Sequence, residues 1–252
     1  MEPAVTSFML SVLAGLSTGI GALIGYFIKE PRFSHLSFLM GFSAGVMIYV
    51  SFVELLGNAI QYIGFLTANI AFFSGVGFFF LLDIFIPHAH LDAKLDSFHE
   101  SSINKKLANT GILVAIGLTL HNFPEGIAVF TVSLESLELG FPIAIAIAIH
   151  NIPEGIAVSV PIYYATGSEK KAFTYSMFSG IAEPIGAASS YLILAPYLNK
   201  QILNIILATV AGIMVFISFD ELLPISQEYG NEHISNIGLF LGMLIMMASL
   251  TL

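Results

Sequence analysis

Apolar residues run along this chain in blocks of about 20, the length that carries an α-helix across the hydrocarbon of a bilayer. Eight blocks can be marked, at roughly 4–28, 36–56, 66–87, 108–132, 140–164, 172–196, 201–223 and 234–252. Polar punctuation separates most of them: Lys29-Glu30-Pro31-Arg32, the run 88–106, Gly167-Ser168-Glu169-Lys170-Lys171 and Asn199-Lys200-Gln201. The division between blocks two and three, near Gly57 to Gly64, is the most weakly marked. The pattern predicts an all-α integral membrane protein with eight transmembrane helices. It forms one domain over residues 1–252, with a polar, histidine-containing loop at about 88–106.

Composition agrees and narrows the partners. Charged residues make up 10% of the chain and apolar ones 56%, whereas soluble domains carry about 25% charged residues. Such a chain cannot solvate its own surface with water, so its solvent is the lipid bilayer. The absence of cysteine removes disulfides and thiolate metal sites. A net charge of −9 excludes nucleic acid as a partner. The first 28 residues have no basic leader region and no A-x-A cleavage site, so they read as a retained span.

The basic residues orient the helices, because Lys and Arg concentrate in cytoplasmic loops. Lys29 and Arg32 fall between spans one and two, Lys94, Lys105 and Lys106 between three and four, and Lys170 and Lys171 between five and six. Those loops share one side and hold seven of the eight basic residues; Lys200 alone lies on the other. Both termini are therefore expected on the extracytoplasmic side. Dropping one span would scramble the alternation.

Two internal repeats cut across this plan. Residues 44–56 read AGVMIYVSFVELL and residues 211–223 read AGIMVFISFDELL, identical at eight of thirteen positions. They occupy spans two and seven, which run in opposite directions. HNFPEGIAVF (121–130) and HNIPEGIAVS (150–159) occupy the antiparallel spans four and five. One pseudo-two-fold axis in the membrane plane would relate spans 1–3 to 6–8 and span 4 to span 5. Inverted repeats with polar residues at their interface are a signature of transporters; duplication for assembly alone is the bland alternative.

The boxes carry the chemistry. Four residues apart on a helix, His121 and Glu125 share a face, as do His150 and Glu154. Asn122 and Asn151 lie one position round, about 100° away. Pro124 and Pro153 free the carbonyls of Leu120 and Ile149, and Pro184, after Glu183, frees that of Gly180. Ionised carboxylates in hydrocarbon are costly unless paired or liganded. Glu125, Glu154 and Glu183 have no basic residue inside any predicted span to neutralise them. A metal ion or a proton must supply the counter-charge. Imidazole with carboxylate suits zinc, iron and manganese better than alkali ions, and two divalent ions bridged by Glu125 and Glu154 fit the charge count. A lone histidine in an apolar helix is more often a hydrogen-bonded core residue; two His-Asn-x-Pro-Glu sets and a third glutamate are not that case.

HNFPEGIAVF, ELGFPIAIAIAIHNIPEGIAVSVPIYYATGSEKKA and SGIAEPIGA resemble the ZIP (Zrt/Irt-like) family of divalent metal transporters, its bacterial members above all. The resemblance covers essentially all eight spans and is most specific over spans four to six. It implies uptake of Zn(II), with Fe(II), Mn(II), Co(II) or Cd(II) as alternatives, across the plasma (cell inner) membrane into the cytoplasm. It implies a transporter and not an enzyme, frequently a homodimer, with two bound ions. By position one ion would take His121, Glu125, His150 and Glu154, the other Asn122, Glu125, Asn151, Glu154 and Glu183. Some relatives carry Gln-Asp in place of His150-Asn151, which leaves this chain one carboxylate fewer. The resemblance also implies motion of spans 1, 4, 5 and 6 against 2, 3, 7 and 8.

Weaker features extend the metal path. Met47 offers a thioether to the first ion, as in some relatives, against ordinary packing. Glu54 and Glu221, mates in the repeat, fall near opposite membrane faces and would attract cations where they enter and leave, against simple interfacial solvation. His88, His90 and His99 lie in or beside the polar loop, where short His-rich tracts can bind metal; a solvated linker is the alternative. From another function class, an intramembrane metallohydrolase would need the order H-E-x-x-H, and neither box has it. Efflux and a channel-like mechanism stay open on sequence alone.

Overall fold

The computed structural model describes residues 3–27, 32–85, 99–194, 199–228 and 231–250, and every regular element among them is helical. In chain order these are α1 (Pro3–Phe27), α2 (Phe33–Val50), α3 (Gly57–Ile63), α4 (Phe65–Phe85), α5 (His99–Glu135), α6 (Leu137–Thr166), α7 (Glu169–Ser189), α8 (Lys200–Ile217), α9 (Leu223–Glu228) and α10 (Glu232–Ser249). Wider π turns at Ser51–Leu56 and Ser218–Leu222 join α2 to α3 and α8 to α9 without breaking the rods. A third, Ser190–Leu194, extends α7. The result is the eight rods expected. Among the described residues, seven are long and apolar enough to cross a membrane by themselves. The eighth is α7, whose polar first turn and Glu183 dilute its apolar content.

Two boundaries differ from the sequence reading. Span two runs over Phe33–Ile63 and span seven over Lys200–Glu228, each longer than the marked 36–56 and 201–223. Gly57 follows the marked end of block two, yet its backbone is helical (φ −58°, ψ −49°). The break comes at Gly64, where φ is +80°; this left-handed region suits glycine and is costly for other residues. Gly167 (φ +64°) ends α6 in the same way, its N–H donating to Tyr163 O. Three helix starts are marked by side-chain caps: Ser168 accepts from Lys171 N, Asn199 from Ile202 N, and Asn231 from His233 N and Ile234 N. His88 and His90 lie outside the described residues; His99 opens α5.

The packing follows the inverted repeat. Helix α1 packs on α6 and α7 packs on α5, while α1 with α7 and α5 with α6 meet across the middle. In the flanking layer α2 packs on α10 and α8 on α4, and α2 reaches α6 as α8 reaches α5. The two π turns occupy matching places in the 13-residue repeat. Its glycines match as well: a Cβ on Gly45 would strike the carbonyl of Leu239 in α10, and one on Gly212 that of Phe72 in α4. Small residues thus bring the backbones together.

Polarity is arranged inside out. Leu13, Ile70, Phe73, Leu192 and Phe240 are each more than half exposed, the surface expected where lipid is the solvent. His121, Asn122, His150, Asn151, Glu154 and Glu183 are all at most 1% exposed. The protein is a multi-pass membrane protein with two histidines and three glutamates of its middle helices buried in its interior.

Candidate metal centre

The antiparallel pair α5 and α6 brings both boxes to one place. The i, i+4 spacing sets His121 Nε2 3.0 Å from Glu125 Oε1. Across the helix pair, His150 Nε2 lies 3.0 Å from that same oxygen, and His121 Nε2 lies 3.2 Å from Glu154 Oε1. The imidazole centroids are 6.3 Å apart. Ligand atoms of His121, His150 and Glu154 all fall within 4.8 Å of one another, a spacing that can hold one cation.

The asparagines tie this pair to the outer helices, and the ties match. Asn122 Nδ2 donates to Ser179 O in α7 (3.1 Å), and Asn151 Nδ2 donates to Ala14 O in α1 (3.0 Å). Asn151 also donates to Glu183 Oε1, which draws the third carboxylate in from α7. Gly126 and Gly155 make this closeness feasible: a Cβ on either would strike a backbone carbonyl, of Glu183 and Thr18 respectively. With their amide nitrogens engaged, both asparagines leave Oδ1 buried without a hydrogen-bond partner. Glu125 Oε2, Glu183 Oε2 and both oxygens of Glu154 are in the same condition. Buried polar atoms are normally satisfied. Six buried oxygens with unused lone pairs, beside two imidazoles, form a donor set for a cation.

The weaker candidates are spread along the bundle. Glu54 lines a 440 Å³ cavity running from Tyr62 and Lys200, at the Gly64 end, to Glu125. Asn58 and Asn204 line it too; sequence reasoning missed both, because an isolated asparagine in an apolar span carries no signal of its own. Glu221 sits towards the Gly167 end, 7% exposed, and its Oε2 accepts from Thr110 Oγ1 at 2.6 Å. Asp83 and Asp220 lie with it. Asp220 was also missed, although it is the one acidic residue that breaks the repeat by replacing Val53. Met47 is fully buried in the hydrophobic core with Met214, its mate in the repeat. The side chain of His99 is outside what the structure describes.

Similarity to known proteins gives the family. The family model described as ZIP Zinc transporter matches residues 87–250. The chain is 48% identical to the zinc transporter ZupT of Streptococcus mutans, over 98% of this chain and 97% of that protein. It is 47% identical to the zinc transporter ZupT of Oceanobacillus iheyensis (100% and 99%) and 45% identical to that of Clostridium perfringens (100% and 97%). These relatives are named as transporters and not as enzymes. The match runs through both boxes and the Glu183 segment, and it confirms the resemblance drawn from those residues: the chain belongs to the ZIP zinc transporter family.

Proposed function

We propose that this protein carries zinc across the plasma membrane into the cytoplasm, through the buried site built by α5, α6 and α7. The observation that carries this reading is the donor set itself. Two imidazoles, two amide oxygens and three carboxylates converge with no lysine or arginine among them. Divalent cations supply the missing positive charge, and imidazole with carboxylate selects first-row metals. One ion takes His121, Glu125, His150 and Glu154; a second takes Asn122, Asn151 and Glu183 and shares Glu125 and Glu154. Fe(II), Mn(II), Co(II) and Cd(II) are the alternative cargoes for the same donors. The relatives' name, zinc transporter, supports zinc as the main cargo.

Orientation rests on the lysine distribution, which puts the Gly64 end outside. The cavity from that end to Glu125 then gives an ion arriving from outside a route to the site. In proteoliposomes of known orientation, zinc should accumulate on the cytoplasmic side of the protein, and Glu125→Ala with Glu154→Ala should abolish the flux. Undiminished flux in the double variant would remove the site assignment, and flux solely in the opposite sense would make the protein an exporter.

A further inference from the structure

The pseudo-two-fold relates α1 to α7 residue by residue, and their contacts give the register. Gly15 and Gly180 face each other, since a Cβ on either would strike the other's carbonyl oxygen. Ala14 O accepts from Asn151 as Ser179 O accepts from Asn122. Ser11 Oγ donates to Gly126 O (3.5 Å) as Ser176 Oγ donates to Gly155 O (3.2 Å). Gly21 packs on the carbonyl of Ile152 as Gly186 packs on that of Phe123. Each pair is related by the same step of 165 residues, while the boxes are related by 29. The step carries Glu183 onto Thr18.

The contacts of these two mates agree in detail. A Cβ built on Gly15 would stand 3.3 Å from Cβ of Glu183, and one built on Gly180 would stand 2.9 Å from Cβ of Thr18. The two side chains therefore leave their helices in equivalent directions, and Glu183 reaches Asn151. Thr18 is fully buried, and its Oγ1 has no hydrogen-bond partner. Elsewhere in the chain Thr119, Thr166 and Thr209 donate to the carbonyl four residues back, the usual solution in a helix. For Thr18 that carbonyl is Ala14 O, which already accepts from Asn151 and from Ser17.

We infer that Thr18 is a specificity-determining residue of the ion site, setting a neutral hydroxyl where the two-fold would set a second copy of the Glu183 carboxylate. This rests on the reading of Glu183 as an ion ligand. The two sides of the site are thereby unequal, one offering a third carboxylate and the other an uncharged oxygen. An added carboxylate would bind ions more tightly and favour harder cations such as Mn(II). Conduction needs binding weak enough to release, and a hydroxyl serves that need.

The test exchanges the mates. Zinc binding to the purified full-length protein is measured by titration calorimetry for wild type, Glu183→Thr, and Thr18→Glu combined with Glu183→Thr. Glu183→Thr should weaken zinc binding about tenfold or lose one equivalent, and the exchange variant should recover most of that loss. Binding no better than Glu183→Thr alone overturns the equivalence of the two positions. Wild-type binding by Glu183→Thr itself would instead remove Glu183 from the site, and the inference with it. Should the exchange variant fail to fold, Thr18→Val and Thr18→Ser decide. The valine variant should bind zinc several-fold more weakly and the serine variant as wild type; equal binding by all three overturns the role of the hydroxyl.

Discussion

At the scale of single residues, Glu125 is the carboxylate that both imidazoles meet. Its Oε1 stands 3.0 Å from both His121 and His150, and its Oε2 is left without a partner. It is also the site residue that lines the cavity. Glu125→Gln keeps the shape and removes the charge, so packing should survive while the cation loses a shared ligand. Zinc affinity should fall about a hundredfold or more, corresponding to about 2.7 kcal/mol, with a thermal melt within a few degrees of wild type. Calorimetry and a melting curve check the two halves separately. The meeting of the seven proposed ligands was legible because their types are rare in apolar helices and two sets repeat at a fixed offset. Thr18 was not legible: a threonine in such a helix usually satisfies itself on its own turn, and only the packing of α1 on α6, which brings Asn151 to Ala14 O, shows that its acceptor is taken.

At the scale of elements, the box works because glycine follows glutamate. The helix pairs α5 with α7 and α6 with α1 approach until a carbonyl fills the space where a Cβ would stand, at Gly126 and Gly155. An alanine at 126 meets the backbone of Glu183, which cannot yield as a flexible side chain would. Gly126→Ala should push α7 away and separate Glu183 from Asn151, costing about 1–3 kcal/mol of stability. Zinc flux in proteoliposomes should fall more than tenfold, a larger effect than the lost stability alone would give. Flux at wild-type level would mean that the α5–α7 distance is not set by this contact. Helix type and number were legible from block length, and the ends of spans two and seven were not. In both, a π turn carries the helix past the polar residues Glu54 and Glu221, and hydropathy reads those positions as ends. A wider turn at a polar position, as at Glu54 beside the cavity, is a common mark of functional sites.

At the scale of the whole molecule, the two ends of the bundle differ although the repeat makes their frames alike. At the Gly64 end the cavity separates spans two and seven from α5 and α6, with Glu54 and Asn58 on one wall and Glu125 on the other. Towards the Gly167 end, hydrogen bonds join the same two groups of helices: Ser43 Oγ to Pro153 O (2.8 Å), Thr110 Oγ1 to Glu221 Oε2 (2.6 Å) and Tyr164 OH to Arg32 O (2.8 Å). The inverted repeat was plain in the sequence because its 13-residue segments and its two boxes share most of their residues; this difference was not, since it depends on which mates are apart. The chain has no cysteine, so single cysteines report sidedness without background. Asn58 lines the cavity and Glu169 is exposed beyond Gly167. With the lysine-rich loops inside, Asn58→Cys should react with an impermeant maleimide added to intact cells, and Glu169→Cys only after permeabilisation. The reverse pattern would invert the topology and turn the cavity towards the cytoplasm, leaving a transporter poised to load from within.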